Sequence, residues 1–196
     1  MSEVIAHPPR ASLITSSAVR STLLASSILG LRQAGHFDRY HALLDPAVRE
    51  TVLFTPAGSW LPLEVGLRHY EACDRLGLST DDILGMGNAV SRMAQQSLWS
   101  FFLTAVRGSG ATPWTGLGMT PRLWERLYKG GGIYVEKAGL KDAELEIAAQ
   151  PLAQIAYWRT GLRGILQSLL EPLARRVFIR EGRHDEASCV YRIAWA

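Results

Sequence analysis

The sequence predicts an α+β protein: a helical N-terminal half packed on a four-stranded antiparallel sheet built as hairpin–helix–hairpin at the C-terminus. Three observations over residues 131–196 carry this. They are a pair of alternating apolar–polar segments, a long stretch with apolar residues at helical spacing, and a second alternating pair. A sheet with one apolar face and a helix with one apolar stripe can each bury the other.

In the first pair, Ile133, Val135 and Lys137 alternate with Tyr134 and Glu136, and Leu145, Ile147 and Ala149 alternate with Glu144, Glu146 and Ala148. Gly139 lies in the short connection, where a hairpin often needs positive φ. Pro151 opens the helix, since its missing N–H is one of the unpaired donors of a first turn. Leu152, Ile155, Leu162, Ile165, Leu166, Leu169 and Leu173 form its apolar stripe, and Pro172 ends it. Gly161 and Gly164 within it mark a close approach to the sheet or a bend. In the second pair, Val177 and Ile179 share one strand face, as do Cys189, Tyr191, Ile193 and Trp195. The polar run from Gly182 to Glu186 is an exposed loop.

The preceding chain reads as helices. Residues 1–14, with Pro8 and Pro9, form a loosely held arm, residues 15–130 a helical layer, and residues 131–196 the ββαββ module of one domain. Ser16 and Ser17 are N-cap candidates for a helix stopped at Gly35, and short helices follow over 37–44 and from Pro46 to just before Pro56. A helix over 63–76 is closed by Gly77. Ser79 caps a long one reaching about Val106, with Gly85 and Gly87 as bend points. Residues 108–118 read as a Gly-rich loop carrying Trp114, and Thr120 caps a helix with Pro121 at its first position.

Composition narrows the classes. The 196 residues are 47% hydrophobic and 20% charged, which is globular composition, and a net charge of +3 is too mild to argue for a nucleic-acid surface. No apolar run approaches the ~18 residues of a membrane span, and Cys73 and Cys189 in apolar settings read as free thiols of a reducing, cytoplasmic protein.

Candidate chemistry is sparse. His36, Asp38 and His41 have poor ligand spacing, so no metal is expected. His69 is the candidate axial ligand of a haem, although no partner motif accompanies it. Residues 73–93 have the spacing of a helix-turn-helix, but Asp81 and Asp82 at the head of its second helix would repel phosphate. No nucleophile elbow or phosphate loop is present, so no catalytic residue is assigned. The informative feature is the aromatic supply: six tryptophans, with Tyr134, Tyr157 and Tyr191, exceed what a core of this size needs. Trp99, Phe102, Trp124, Tyr157 and Trp158 are the candidates to line an apolar ligand pocket, with Arg159 or Arg163 to hold an acidic group.

A resemblance follows from these segments. The closing Gly182, Cys189, Tyr191, Ile193 and Trp195, after a helical half and hairpin–helix–hairpin, look like a fold shared by three groups. These are haem-nitric-oxide-binding (H-NOX) domains, 4-vinyl reductase domains and the transport-protein-particle subunits of Golgi tethering. The run from Gly35 to Tyr40 and that from Ser59 to Pro62 resemble an uncharacterised myxobacterial family of the same fold. Haem-binding members carry Tyr-x-Ser-x-Arg, whereas here Tyr134 is followed by Val135, Glu136, Lys137 and Ala138. The resemblance implies a scaffold that buries small apolar ligands or acyl chains, or dimerises through its helical layer. The expectation is therefore a non-enzymatic sensory or adaptor domain, dimeric, binding a small hydrophobic molecule without a cofactor. The alternatives are a protein-interaction subunit, a haem gas sensor and a DNA-binding regulator.

Overall fold

The last third of the chain forms the predicted ribbons. The computed structural model describes residues 4–7, 12–94 and 111–196, with side chains described for all of these except 4–7 and 88–94. Strands β5 (Gly132–Gly139) and β6 (Asp142–Ala148) make the first hairpin, and β7 (Val177–His184) and β8 (Cys189–Trp195) the second. β6 pairs with β8, which joins the hairpins into one antiparallel sheet. The run predicted as loop from Gly182 instead continues β7 to His184, with a register shift between Glu181 and His184.

Four residues of the predicted arm are held in a strand. Val4–His7 forms β1, which pairs antiparallel with β5 and extends the sheet to five strands in the order β1-β5-β6-β8-β7. A second, three-stranded sheet has the order β3-β2-β4, built from β2 (Ala18–Arg20), β3 (Trp60–Pro62) and β4 (Tyr128–Lys129).

The helices are α1 (Ser21–Gln33), α2 (Phe37–Leu43), α3 (Pro46–Phe54), α4 (Leu63–Asp74), α5 (Thr80–Ala94), α6 (Pro113–Leu127) and α7 (Ala156–Leu170). Helix α1 starts later than predicted because Ser16 and Ser17 are held by strands: their amides donate to Ala149 and Lys129 carbonyls. Asp45 caps α3 through its side chain, and the Ser79 hydroxyl accepts from the Asp82 amide at the head of α5. The predicted continuation of α5 to Val106 lies outside the described residues.

Helix α6 begins at Pro113, not at Thr120. Thr112 and Thr115 form a reciprocal cap, so Trp114 sits in the first turn instead of a loop. Pro121 is internal and cannot donate to the Leu117 carbonyl. The Thr120 hydroxyl donates to that carbonyl instead, at 2.7 Å, so the acceptor stays paired.

Helix α7 lies between the sheet and α5. Towards the sheet, Tyr191 donates its hydroxyl to the Arg159 carbonyl at 2.9 Å. Towards α5, a Cβ placed on Gly87 would stand 2.5 Å from the Gly161 carbonyl oxygen and 3.3 Å from Gly164 Cα. The close approach marked by Gly161 and Gly164 is thus made with a helix and not with the sheet. Gly87→Ala is expected to force the two backbones apart and cost about 1–3 kcal/mol. Gly161→Ala, whose Cβ meets nothing within 4 Å, should leave stability unchanged or raise it. Urea unfolding of both variants measures the contrast.

Candidate functional site

Beside the α5–α7 crossing lies an apolar cavity of about 140 Å³, bounded by α1, α4, α5, α6, α7 and the starts of β4 and β5. The volume is that of an engineered cavity that takes up benzene, roughly 150 Å³. Its walls are leucine, isoleucine and aromatic carbon, with Trp124, Tyr157 and Trp158 among them. Trp158 donates its indole N–H to the Tyr128 hydroxyl at 3.1 Å, and Trp124 donates to the Gly130 carbonyl at 3.1 Å. Both rings are therefore fixed by their polar ends while their apolar faces stand on the cavity.

Polar atoms on the wall are few. Thr120 is satisfied by Leu117, and exposed Arg126 stands at the rim. Ser27 is 6% exposed, and its hydroxyl oxygen has no hydrogen-bond partner, although it stands beside Cys73 and Tyr157. The Tyr157 hydroxyl has the Met86 sulfur at 4.0 Å, a weak acceptor. Burial pushes the Tyr157 phenol and the Cys73 thiol well above their ordinary pKa values, so both are protonated at neutral pH.

The sequence-derived candidates divide. Trp124, Tyr157 and Trp158 come together on the cavity, while Trp99 and Phe102 fall outside the described residues. Arg159 is directed away from it: its guanidinium donates to the Ala153 carbonyl at 2.7 Å and pairs with Glu181 at 3.4 Å. It ties α7 to β7 and is not free to hold a ligand's acid group. Ser27, Tyr70, Met86, Gly87 and Thr120 also line the cavity and were not among the pocket candidates read from the sequence. Their signal is weak, since single polar or small residues inside helices carry no motif.

His69 lies elsewhere. It is fully buried on α4, with Tyr40 of α2 at 2.6 Å from Nδ1 and the Cys73 sulfur 3.8 Å from Nε2. The buried Tyr40 phenol keeps its proton, so its O–H is assigned as donor to Nδ1, with the ring proton on Nε2 facing Cys73. Burial lowers the His69 pKa to about 3. Among the described residues no group of three His, Cys, Asp or Glu could hold a metal ion, and His41 packs on the Phe37 ring.

No protein-family model matches this sequence, and no curated protein does. Solved structures share the fold. The Fe(II) unliganded H-NOX protein from K. algicida superposes with a TM-score of 0.62 at 11% identity, covering 90% of this chain and 96% of that one. A structure from a study of haem distortion in the H-NOX family gives 0.60 at 13% identity, covering 90% and 94%. The oxygen complex of an oxygen-binding H-NOX domain related to soluble guanylate cyclases gives 0.54 at 13% identity, with the same coverage. The fold is H-NOX-like. The likeness to 4-vinyl reductase domains, to transport-protein-particle subunits and to a myxobacterial family gains no support from these structures.

The expectation of no cofactor is corrected by the same finding, because the neighbours that share the fold are haem proteins. In this chain, a haem ring would meet apolar walls, and Arg126 would face an acidic edge group. For the iron, the described wall offers the Met86 thioether and the phenol oxygens of Tyr70, Tyr128 and Tyr157, and no imidazole or thiolate. The donor set fits the ring but not histidine ligation, and with the helices where they stand the space is smaller than a porphyrin needs.

The buried His69 makes a separate prediction. Its pKa is about 3 when folded and about 6.5 when unfolded. The unfolded chain therefore takes up a proton that the folded one refuses, so His69 lowers stability progressively as pH falls from 6.5 towards 3. Above pH 6.5 it has no such effect. Urea unfolding from pH 7 to 4.5 should show a slope shallower by about one proton in His69→Gln than in the parent.

Proposed function

We propose that this chain is a sensory domain whose input is the occupancy of the apolar cavity by a small, mostly apolar ligand. The observation that carries this is the cavity itself, which is walled by ordered aromatic rings, has a cation at its rim, and adjoins the crossing of the two central helices. Close-packed interiors seldom retain a space larger than a few waters. A molecule seated there bears on α1, α5, α6 and α7 at once, so occupancy can bias how they pack.

The H-NOX-like fold supports the same reading, and haem is the ligand to test first. With the helices as they stand, the space admits a benzene-sized body. A porphyrin is larger than that, so its entry would require the walls to part.

Fluorescence provides the test, because Trp124 and Trp158 stand on the wall. Hemin and toluene are titrated separately into the parent protein and into Gly161→Phe, whose added ring occupies open space on the cavity side. The expected result is saturable quenching by hemin or a toluene-dependent rise in Tm, with either effect at least tenfold weaker in Gly161→Phe. Absence of any response to both compounds, with the parent folded by circular dichroism, would sink the proposal.

A further inference from the structure

The inner end of the cavity has a chemistry that its walls do not. Ser27 on α1 and Tyr157 on α7 face each other there, 6% and 5% exposed. The Ser27 hydroxyl meets no partner in good hydrogen-bond geometry and stands beside the Tyr157 hydroxyl and the Cys73 thiol, while the Tyr157 hydroxyl, near the same two groups, has the Met86 thioether at 4.0 Å. Buried hydroxyls are ordinarily paired, since one left without a partner bears its full desolvation cost. Two neighbouring hydroxyls on opposite helices, opening on the same apolar space and held by no good hydrogen bond, leave donor and acceptor capacity for whatever enters.

The charge distribution restricts what that is. The one charged side chain on the described wall is Arg126, which is exposed at the rim. At the inner end Tyr157, Tyr70 and nearby Cys73 are all held in their neutral forms by burial. An ionised group drawn inward would lose its hydration with no counter-charge to replace it. A neutral hydroxyl or carbonyl loses far less and finds both a donor and an acceptor waiting.

Building on the reading of the cavity as a ligand site, we infer that Ser27 and Tyr157 select small uncharged ring compounds bearing a single hydroxyl or carbonyl oxygen, taken up oxygen-first. The apolar walls hold the ring, and the hydroxyl pair holds the oxygen. A cavity with walls alone would prefer the hydrocarbon and reject its hydroxylated analogue, because the hydroxyl would be buried unpaired.

Phenol and toluene are the probes, read by calorimetric titration of the whole chain, in the parent, Ser27→Ala, Tyr157→Phe and the double variant. Phenol is expected to bind the parent at least as tightly as toluene. It should weaken roughly tenfold or more in the double variant, while toluene binding changes less than about twofold and shows that fold and cavity persist. Toluene binding with phenol excluded, or phenol binding indifferent to both substitutions, overturns the inference and leaves the cavity reading standing. Failure of both probes to bind the parent overturns this inference together with the reading it rests on.

Discussion

The contact of α5 with α7 across Gly87, Gly161 and Gly164 is the constraint from which the rest of the architecture follows. Backbone meets backbone there, with no room for a Cβ on Gly87. Helix α7 is thereby pressed between a second helix and the sheet, which explains its wide apolar surface: Trp158, Leu166 and Leu169 are buried, as are Tyr157 and Leu170. So tight an approach at one point cannot be matched along the whole length of two helices bearing large side chains. Next to the crossing, α1 and α6 stand on leucine and tryptophan side chains, and the space between them is the cavity.

Polar groups in this interior are divided between two uses. Arg159 with Glu181 and the Ala153 carbonyl, Tyr191 with the Arg159 carbonyl, and Tyr40 with His69 are closed pairs that lock elements together. Ser27 and Tyr157 are not closed in this way. The distinction separates a histidine that serves packing from hydroxyls that face a vacancy.

The paired ribbons and the helix between them were legible in the sequence because period-2 alternation from Ile133 and from Val177, and 3.6-residue spacing after Pro151, are strong local signals. Strands β1 to β4 were not, since runs of two to four residues have no measurable period and their partners are remote. The start of α6 was misplaced because this segment offers Thr-Pro twice, at Thr112-Pro113 and at Thr120-Pro121, and only the first is the cap. At the cavity, the bulky aromatics Trp124, Tyr157 and Trp158 announced themselves. Arg159 misled because a cation beside two aromatics reads the same whether it meets a ligand or a neighbouring strand. The glycines gave a true signal of close approach with the wrong partner, since spacing shows that a surface is small without showing what presses on it.

The pairing of Val4–His7 with β5 has a consequence for synthesis. The segment leaves the ribosome early, yet the strand it completes, Gly132–Gly139, emerges only after every helix of the N-terminal half. Throughout that interval its backbone amides and carbonyls have water as their partner, and the outer edge of β5 can be sealed only late. The order of translation thus keeps this seam open until the helical half has been made, an interval that a ribosome-associated chaperone holding the early segment would lengthen.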